Sequence, residues 1–377
     1  MKAEERLSFL DLTEQYKNIQ KEINKAIEGV LKRGKFILGE EVFRFEEEVA
    51  DYLGVKYAVG LACGTDALKI SLRGLDIGKG DEVITTPFTF IATAEAIIEV
   101  GAKPIFVDIE PETYNIDPAK IEEKITNRTK AIVPVHLYGQ PAKMDAIIKI
   151  ANRYKLHIIE DAAQAFGAEY NGRKVGSFGS AAIFSFFPSK ILAAYGDAGM
   201  LVTNNKKLYQ KAKKLRLHGA TKRYYHTLYG YNSRLDELQA AILRRKLRYV
   251  NKWIDARRKI AEYYNKSFFD LKNEITIPFT HSNCRHVYNV YTIRLKLRSV
   301  LYDYLKKEGI PAAIYYPRPL HLQPVFRDLG YIRGDFPISE RCSKEVLSLP
   351  IYPELTENKQ NLIIDKIASF IKKKYRE

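Results

Sequence analysis

A chain of 377 residues with 46% hydrophobic and 12% aromatic side chains is expected to form two packed domains, which excludes wholesale disorder. Three scattered cysteines exclude a disulfide framework or a Cys-x-x-Cys zinc site, and no apolar run is long enough to cross a membrane, so we expect a cytoplasmic protein. The formal net charge of +16 does not by itself exclude a nucleic-acid partner.

Short apolar runs alternate with amphipathic stretches through the first half of the chain, after a helical lead-in of about 45 residues. Residues 1–6 contain two glutamates and no apolar stretch follows them, which is not typical of a signal peptide. The runs are nearly continuous in hydrophobicity, as is typical of strands buried on both faces. Strand–helix–strand alternation predicts a large three-layer α/β domain with a mostly parallel sheet. The predicted strands are Tyr57–Leu61, Glu82–Thr85, Pro104–Asp108, Ala131–Val135, His157–Glu160, Ala182–Phe186 and Met200–Thr203, and helices are predicted at Asp66–Leu75, Ala92–Val100 and Met144–Tyr154.

The pattern changes in the second half of the chain. Two long helices are predicted over Asp236–Lys252 and Arg257–Asn265, followed by a smaller α+β segment with a proline-rich passage at Pro311–Pro324. We therefore expect a large domain over residues 1–250 and a smaller α+β C-terminal domain over residues 251–377.

Most of the excess positive charge lies in one stretch. Residues 206–260 contain 17 lysines or arginines and three aspartates or glutamates. Such a stretch fits a nucleic-acid surface, an electrostatic funnel for a ligand that carries a diphosphate, or a pair of solvated, lysine-rich helices. The last interpretation is favoured, because charge runs are usually solvated faces.

Polar residues at the carboxyl ends of the predicted strands are candidates for function, because ligands of open α/β sheets bind there. One apolar strand is followed by Asp161, with Gln164 three residues later. Such an aspartate can hold a protonated pyridine nitrogen, which keeps the ring cationic and makes it an electron sink. The alternative is that Asp161 caps the next helix, and the segment alone favours that alternative.

A second strand carries Ser185 near its end and leads to Lys190, and the glycine-rich turn Gly196–Gly199 follows. A lysine in an apolar and aromatic neighbourhood has a lowered pKa, so it can be a free amine and form a Schiff base. The alternative is an ordinary surface lysine. The aromatic strand before Lys190 and the glycine-rich turn after it argue against that alternative.

A third element is the Gly64-Thr65 turn between a predicted strand and a predicted helix. Backbone N–H groups and the helix dipole at such a start bind phosphate, and the Thr65 hydroxyl adds a further donor. The turn is weak evidence by itself, because any helix can start in this way.

Together these elements resemble the sugar-aminotransferase family called DegT/StrS, which has the aspartate-aminotransferase-like type I fold. The resemblance covers nearly the whole chain, and the order of its motifs makes a chance match implausible. The motifs are Gly34-x-x-x-x-Gly39 with Phe45-Glu46, Gly64-Thr-Asp-Ala-Leu68, Thr86-Pro-Phe-Thr-Phe90-Ile-Ala-Thr93, Val135-His-Leu-Tyr-Gly-Gln140-Pro, Glu160-Asp-Ala-Ala-Gln164, Ser185-Phe-Phe-Pro-Ser-Lys190, Gly196-Asp-Ala-Gly199, Gly230-Tyr-Asn232-Ser-Arg234-Leu-Asp-Glu-Leu-Gln239 and Tyr315-Tyr-Pro-Arg-Pro-Leu-His321-Leu-Gln323.

The resemblance implies a pyridoxal 5'-phosphate cofactor and no metal. It implies that Lys190 forms the Schiff base and later moves the proton between carbon atoms, that Asp161 pairs with the pyridine nitrogen, and that Gln164 lies near the phenolic oxygen. The resemblance further implies that Gly64, Thr65 and Ser185 hold the phosphate and that Phe90 stacks on the ring face. It also implies that Asn232 of the neighbouring subunit reaches the phosphate. For the stacking residue, plain core packing is the alternative.

The resemblance also implies a homodimer with shared active sites, because Asn232 would reach the phosphate of the other subunit. L-glutamate is the expected amino donor and leaves as 2-oxoglutarate, and the acceptor is a keto-sugar carried on a nucleotide. Several segments resemble enzymes that aminate C3 of UDP- or dTDP-linked sugars for amino-sugar and surface-polysaccharide biosynthesis. Arg234, Arg318 and His321 are candidate contacts to the sugar, a carboxylate or the diphosphate, with structural roles as the alternative for all three.

The sequence departs from the family pattern at Phe166, Ile191, Ala198 and Arg318, which leaves the sugar open. Lys190 favours transamination over the dehydration that relatives with histidine at this position perform. The nearest alternative is a 4-keto-sugar aminotransferase. A regulatory or nucleic-acid-binding protein is a further alternative, which predicts binding that weakens steeply with salt and needs no lysine at position 190. We expect neither a nucleic-acid partner nor a membrane.

Overall fold

The computed structural model describes residues 7–375, so the segment 1–6 that argues against a signal peptide lies outside the described part. None of the helices within residues 7–375 has the length and apolar character needed to cross a membrane. The helices are α1 (Leu12–Arg33), α2 (Glu40–Leu53), α3 (Gly64–Gly74), α4 (Ala92–Glu99), α5 (Met144–Tyr154), α6 (Lys206–Leu215), α7 (Glu237–Leu247), α8 (Val250–Ser267), α9 (Arg298–Lys307), α10 (Pro337–Glu345) and α11 (Glu357–Tyr375). The strands are β1 (Tyr57–Leu61), β2 (Glu82–Thr85), β3 (Lys103–Phe106), β4 (Thr129–Ile132), β5 (His157–Asp161), β6 (Glu169–Tyr170), β7 (Arg173–Lys174), β8 (Ala181–Ser185), β9 (Gly199–Thr203), β10 (Ala220–Lys222), β11 (Tyr225–His226), β12 (Cys284–Arg285), β13 (Tyr291–Arg294) and β14 (Val346–Leu349).

A seven-stranded sheet with the strand order β1-β9-β8-β5-β4-β2-β3 lies at the centre of the large domain. The pairs β2–β3, β2–β4, β4–β5 and β5–β8 are parallel, and β9 runs antiparallel to both of its neighbours, β8 and β1. This order confirms the predicted mostly parallel sheet. Because β1 and β8 both run opposite to β9, the carboxyl ends of all strands except β9 lie along one edge of the sheet.

Helices cover both faces of this sheet, because alternate side chains of each strand point to opposite faces. In β8, Ile183 packs into a core with α3, α4 and α6, whereas Ala182 and Phe184 pack into a core with α2, α7 and the start of α8. Nearer to β3, α5 covers the second face. The predicted three-layer architecture is confirmed.

Two predicted strands are shorter than expected. The strands predicted at Pro104–Asp108 and Ala131–Val135 end at Phe106 and Ile132. Beyond these points the regular ladder gives way to single contacts, such as the bridge between Val135 and Asp161. The apolar runs continue past the strands because these residues remain buried at the edge of the sheet.

The single helix predicted over Asp236–Lys252 was wrong, because the structure has two helices there. Helix α7 ends at Leu247 and α8 begins at Val250, and α8 includes the helix predicted over Arg257–Asn265. Helix α7 packs against α1 and α2, whereas α8 extends towards the C-terminal part of the chain. The change of packing partner explains the break, which apolar periodicity alone does not reveal.

The basic stretch 206–260 is divided between solvent and buried ion pairs. The first lysines of α6 are exposed, as a solvated helix requires. Arg216 and Arg244 are instead buried, where they pair with Glu46 and Glu41 of α2. The interpretation as solvated helices is therefore correct only in part, because buried carboxylates need cationic partners.

The C-terminal part of the chain has its own core around the antiparallel pair β13–β14, with α9, α11 and the end of α8 packed on it. Helix α8 contributes Ile254 to the core of the large domain and Ile260 and Tyr264 to the C-terminal core. A smaller α+β unit is thus present, as expected. Its boundary at residues 250 and 251 stays a prediction.

A buried carboxylate connects the C-terminal part to the edge of the sheet. Asp108 follows β3, is 4% exposed, and accepts hydrogen bonds from the N–H groups of Ile338 and Ser339, at 3.0 Å each, and from the Ser339 hydroxyl at 2.6 Å. These N–H groups belong to the first turn of α10, where a carboxylate satisfies free donors and complements the helix dipole. One residue of the large domain therefore orients a helix of the C-terminal part.

Replacement of Asp108 tests this connection. In Asp108→Ala the buried donors of α10 lose their acceptor, so we expect the free energy of unfolding to fall by about 3 kcal/mol. Asp117→Ala is the matched control, because Asp117 caps an exposed 3-10 turn through the N–H of Ala119 at 3.0 Å. Urea unfolding of both variants measures the difference, and equal losses would contradict the proposed connection.

Candidate active site

The start of α3 and the end of β8 touch at the carboxyl-end edge of the sheet. A Cβ atom on Gly64 would lie 3.0 Å from the Cβ of Ser185, and a Cβ atom on Gly199 would lie 2.2 Å from the carbonyl carbon of Cys63. Glycine at both positions therefore allows a helix start and two strand ends to meet. The N–H groups of the first turn of α3, with the hydroxyls of Thr65 and Ser185 beside them, suit an anion such as a phosphate.

Asp161 ends β5 and is buried at the same edge. Its Oδ2 accepts a hydrogen bond from the Thr93 hydroxyl at 2.7 Å, and its Oδ1 accepts one from the N–H of Ala163 at 3.2 Å. Burial raises the pKa of Asp161, while these hydrogen bonds and the nearby Lys190 oppose the rise. Residues 162–168 form turns rather than a helix, so the helix-cap interpretation was wrong.

Lys190 lies half-buried in the turn after β8, where its backbone N–H donates to the carbonyl of Phe187 at 2.9 Å. Loss of hydration lowers the pKa of Lys190 to about 8, and the attraction of Asp161 offsets part of that effect. An appreciable fraction of the side chain is therefore neutral amine near neutral pH, which is the form that attacks a carbonyl carbon. Lys190 differs from an ordinary surface lysine in both burial and pKa.

Aromatic and amide side chains form one wall near Asp161. Phe90 is 56% exposed, whereas Phe88 is fully buried, so plain core packing does not explain Phe90. The ring of Tyr316 lies 6.2 Å from that of Phe90, and the Tyr316 hydroxyl accepts a hydrogen bond from Nε2 of Gln164 at 3.1 Å. An exposed aromatic face next to an amide suits a planar, polar ring.

The other expected residues lie in different environments. Asn232 and Arg318 are exposed and Arg234 is half-buried, so all three have surface available to a ligand or a second subunit. His321 is a correction: its side chain has no exposed surface, and its Nε2 lies 3.0 Å from Oε1 of Glu340. A buried imidazole paired in this way has no free face for a sugar.

Three groups that support the site were not assigned from the sequence. They are the hydroxyl of Thr93, the hydroxyl of Tyr316 and the backbone N–H of Tyr138, which donates to Oε1 of Gln164 at 2.8 Å. All three lie in motifs that carry the resemblance, yet nothing local indicates their partners. The one usable signal is Thr93 itself, since a hydroxyl inside an apolar helix needs a hydrogen-bond partner.

Comparison with known proteins places the chain in a family. The model of the DegT/DnrJ/EryC1/StrS aminotransferase family matches residues 17–368. The chain belongs to this family.

Three curated relatives and one crystal structure match nearly the whole chain. The chain is 49% identical to the "pleiotropic regulatory protein" of Geobacillus stearothermophilus, over 96% of this chain and 98% of that protein. It is 46% identical to dTDP-3-amino-3,6-dideoxy-alpha-D-galactopyranose transaminase of Aneurinibacillus thermoaerophilus, over 97% and 99%. It is 45% identical to UDP-N-acetyl-3-dehydro-alpha-D-glucosamine 3-aminotransferase of Acidithiobacillus ferrooxidans, over 97% of each. S. venezuelae DesV, solved in complex with a ketimine intermediate, superposes with a TM-score of 0.95 at 41% identity, over 97% of this chain and 98% of that chain.

These findings confirm a pyridoxal-phosphate-dependent aminotransferase of the type I fold. The DegT/DnrJ/EryC1/StrS site in this chain fits the cofactor on its own geometry. It offers a buried carboxylate for a cationic ring nitrogen at Asp161, an amine of lowered pKa at Lys190, and a glycine-lined helix start for a phosphate at Gly64. Within residues 7–375 no group of acidic, histidine or cysteine side chains is arranged to hold a metal ion.

Thr93→Val tests the support of Asp161. The Thr93 hydroxyl lowers the pKa of Asp161, so its loss raises that pKa further. Only the ionised carboxylate attracts a protonated ring, so binding weakens as the pH falls through the pKa of Asp161. We expect this fall in affinity to begin at a pH higher by about one unit or less in the variant.

Pyridoxamine phosphate is the probe for this measurement, because its amine cannot link to Lys190. Its dissociation constant is measured across the pH range for the wild type, Thr93→Val and Thr85→Val. Thr85 is the matched control: it is equally buried, and its hydroxyl donates to the Val133 carbonyl at 2.9 Å instead of to Asp161. The same pH profile in all three proteins would show that Thr93 does not act on Asp161.

Proposed function

We propose that the chain transfers the amino group of L-glutamate to C3 of a UDP- or dTDP-linked 3-keto-hexose, in the biosynthesis of amino sugars for surface polysaccharides. The observations that carry the transamination are the amine of lowered pKa on Lys190 and the buried carboxylate of Asp161, which attracts that amine electrostatically. The choice of C3 and of the nucleotides is supported by the names of the two sugar-nucleotide relatives. Neither of these relatives favours the alternative of a 4-keto-sugar.

Each side chain has a defined task in this proposal. Bound pyridoxal phosphate supplies an electron sink, and ionised Asp161 keeps its ring nitrogen protonated. The Lys190 amine holds the cofactor and, when released, carries a proton from one carbon to another. The phosphate is held by the start of α3 and Ser185, and Phe90 covers one face of the ring. Gln164 directs its amide to the phenolic oxygen.

Two arginines are suited to the acceptor substrate. The exposed Arg318 and the half-buried Arg234 present guanidinium groups that can bind a diphosphate or a carboxylate through paired hydrogen bonds. The basic stretch 206–260 adds a positive potential that attracts an anionic substrate. This potential is smaller than the residue count suggests, because two of its arginines are paired with carboxylates inside the protein. His321 is not part of this proposal.

The same proposal includes a cytoplasmic homodimer with shared sites. Asn232 is exposed, and the preceding hairpin presents Tyr224 at 78% and Tyr229 at 93% exposure. Phe36 and Phe43 of the N-terminal region are also more than 40% exposed. Large apolar side chains exposed in this number are typical of interaction surfaces, and a second copy of the chain fits the implied role of Asn232. All three cysteines are free, which suits a reducing compartment.

A regulatory function is the second candidate, because one relative bears the name "pleiotropic regulatory protein". The lowered pKa of Lys190 and the buried carboxylate of Asp161 argue against this function, because such perturbed groups are typical of catalytic sites and are not required for regulation alone. In addition, part of the positive charge that suggested a nucleic-acid surface is neutralised by buried ion pairs, so it is not available to bind nucleic acid.

Replacement of Lys190 tests the proposed reaction. Lys190→Ala removes the cofactor anchor and the proton carrier, so we expect the rate of amino transfer to fall by about a thousandfold or more. The assay supplies L-glutamate with UDP- and dTDP-linked 3-keto- and 4-keto-sugars, and follows 2-oxoglutarate and the amino sugar. Lys206→Ala, which changes an exposed lysine of α6, is the control and should keep the wild-type rate.

The outcome with the sugars separates the candidates. Turnover of 4-keto-sugars alone would overturn the choice of C3. Wild-type protein that forms no lysine-bound cofactor band, but binds DNA with a steep salt dependence that Lys190→Ala retains, would support the regulatory function instead.

Subunit mixing tests whether the sites are shared. Asn232→Asp places a negative charge beside the partner's phosphate, so it should inactivate the enzyme, as Lys190→Ala does. If Asn232 serves the other subunit, a random mixture of the two inactive proteins forms hybrid dimers with one intact site, and about a quarter of wild-type activity returns. The control mixes Asn232→Asp with a chain that carries both Lys190→Ala and Asn232→Asp. No hybrid dimer then has an intact site, so no activity should return. No recovery in the first mixture would place Asn232 in the site of its own chain.

A further inference from the structure

The side-chain amide of Gln164 has an orientation that its neighbours determine. Its Oε1 lies 2.8 Å from the backbone N–H of Tyr138, and its Nε2 lies 3.1 Å from the hydroxyl of Tyr316. A backbone N–H can only donate, so the atom that faces Tyr138 must be the carbonyl oxygen of the amide. A ligand that contacts Nε2 therefore meets a hydrogen-bond donor, the one N–H that Tyr316 does not use.

The donor at Tyr138 is itself held firmly in place. Tyr138 has a left-handed backbone, with φ of 59°, which is unfavourable for a residue with a side chain. Its ring packs edge-on against Tyr114 at 5.4 Å, and its carbonyl accepts from the N–H of Asn289 at 2.9 Å. Its hydroxyl donates to the carbonyl of Tyr315. Tyr138 thus fixes Gln164 on one side and the segment that carries Tyr316 on the other.

Tyr316 completes the arrangement from the C-terminal part of the chain. Its ring packs near Phe90 and Phe88, at centroid distances of 6.2 and 6.4 Å. Burial raises the pKa of Tyr316, so its hydroxyl stays protonated and neutral at physiological pH. A neutral hydroxyl accepts one hydrogen of Nε2 without adding a charge to the site.

We propose that Tyr316 is a positioning residue, which holds the Gln164 amide so that its second N–H is directed to the phenolic oxygen of the cofactor. This inference rests on the proposed function, in which Gln164 lies near that oxygen. A donor at the phenolic oxygen stabilises its negative charge. The oxygen then attracts less strongly the proton that it shares with the nitrogen joining Lys190 to the cofactor, so the pKa of that nitrogen is lowered.

Tyr316→Phe tests the inference without any sugar or amino acid present. The variant keeps the ring and loses only the acceptor for Nε2, so the amide is held by the N–H of Tyr138 alone and its second N–H is directed less firmly. We expect the pKa of the lysine-bound cofactor, read from the pH dependence of its absorption band, to rise by about one unit or less. Tyr315→Phe is the matched control, because Tyr315 contributes its backbone carbonyl to this arrangement and that carbonyl is retained.

A second comparison separates positioning from a general change of the site. In a Gln164→Ala background the amide is absent, so Tyr316→Phe should produce no further shift in the pKa of the bound cofactor. An unchanged pKa in Tyr316→Phe, or an equal shift in both backgrounds, would overturn the positioning role. The unfolding midpoint of each cofactor-free variant shows whether a shift accompanies loss of folding. A wild-type protein without the lysine-bound band would overturn the proposed function itself, which is a different result.

Discussion

The carboxylate of Asp161, buried at the end of β5, determines what the rest of the site must contain. A buried charge is costly unless it is hydrogen-bonded and paired. Thr93, the N–H of Ala163 and the electrostatic attraction of Lys190 compensate only in part, since the pKa of the carboxyl remains raised. A cation directly against this carboxylate would complete the compensation, and a protonated aromatic nitrogen is a flat cation that fits beside an exposed phenylalanine.

The position of Asp161 depends in turn on its neighbour, Glu160, which points to the opposite face of the sheet. Glu160 accepts hydrogen bonds from three backbone N–H groups of residues 176–179 and contacts Nε2 of His136 at 3.2 Å. Nδ1 of His136 accepts from the N–H of Ala142 at 3.0 Å, so Nε2 carries the hydrogen and donates to Glu160. A fully satisfied buried network of this kind keeps the end of β5 rigid.

That Lys190 and Asp161 lie at one edge of the sheet was predictable, because each follows or ends an apolar strand and parallel strands bring their ends to one edge; their roles towards the cofactor stay predictions from the family resemblance. The groups that hydrogen-bond to the site residues were not predictable from the sequence, because their partners lie far along the chain. Thr93, for example, is separated from Asp161 by 68 positions. His321 shows the opposite failure, since its motif suggested a ligand contact while Glu340 of α10 buries and pairs it. The break after Leu247 likewise reflects a change of packing partner, which periodicity within one helix cannot reveal.

The edge that carries the site also orients the C-terminal part of the chain. Asp108, after β3, caps α10, and Gln164, after β5, bonds to Tyr316. Because β3 and β5 point in the same direction, both contacts lie at the edge where the cofactor residues meet. A displacement of the C-terminal part therefore alters an amide inside the site itself. The position of that part and the orientation of the Gln164 amide are coupled through the hydroxyl of Tyr316.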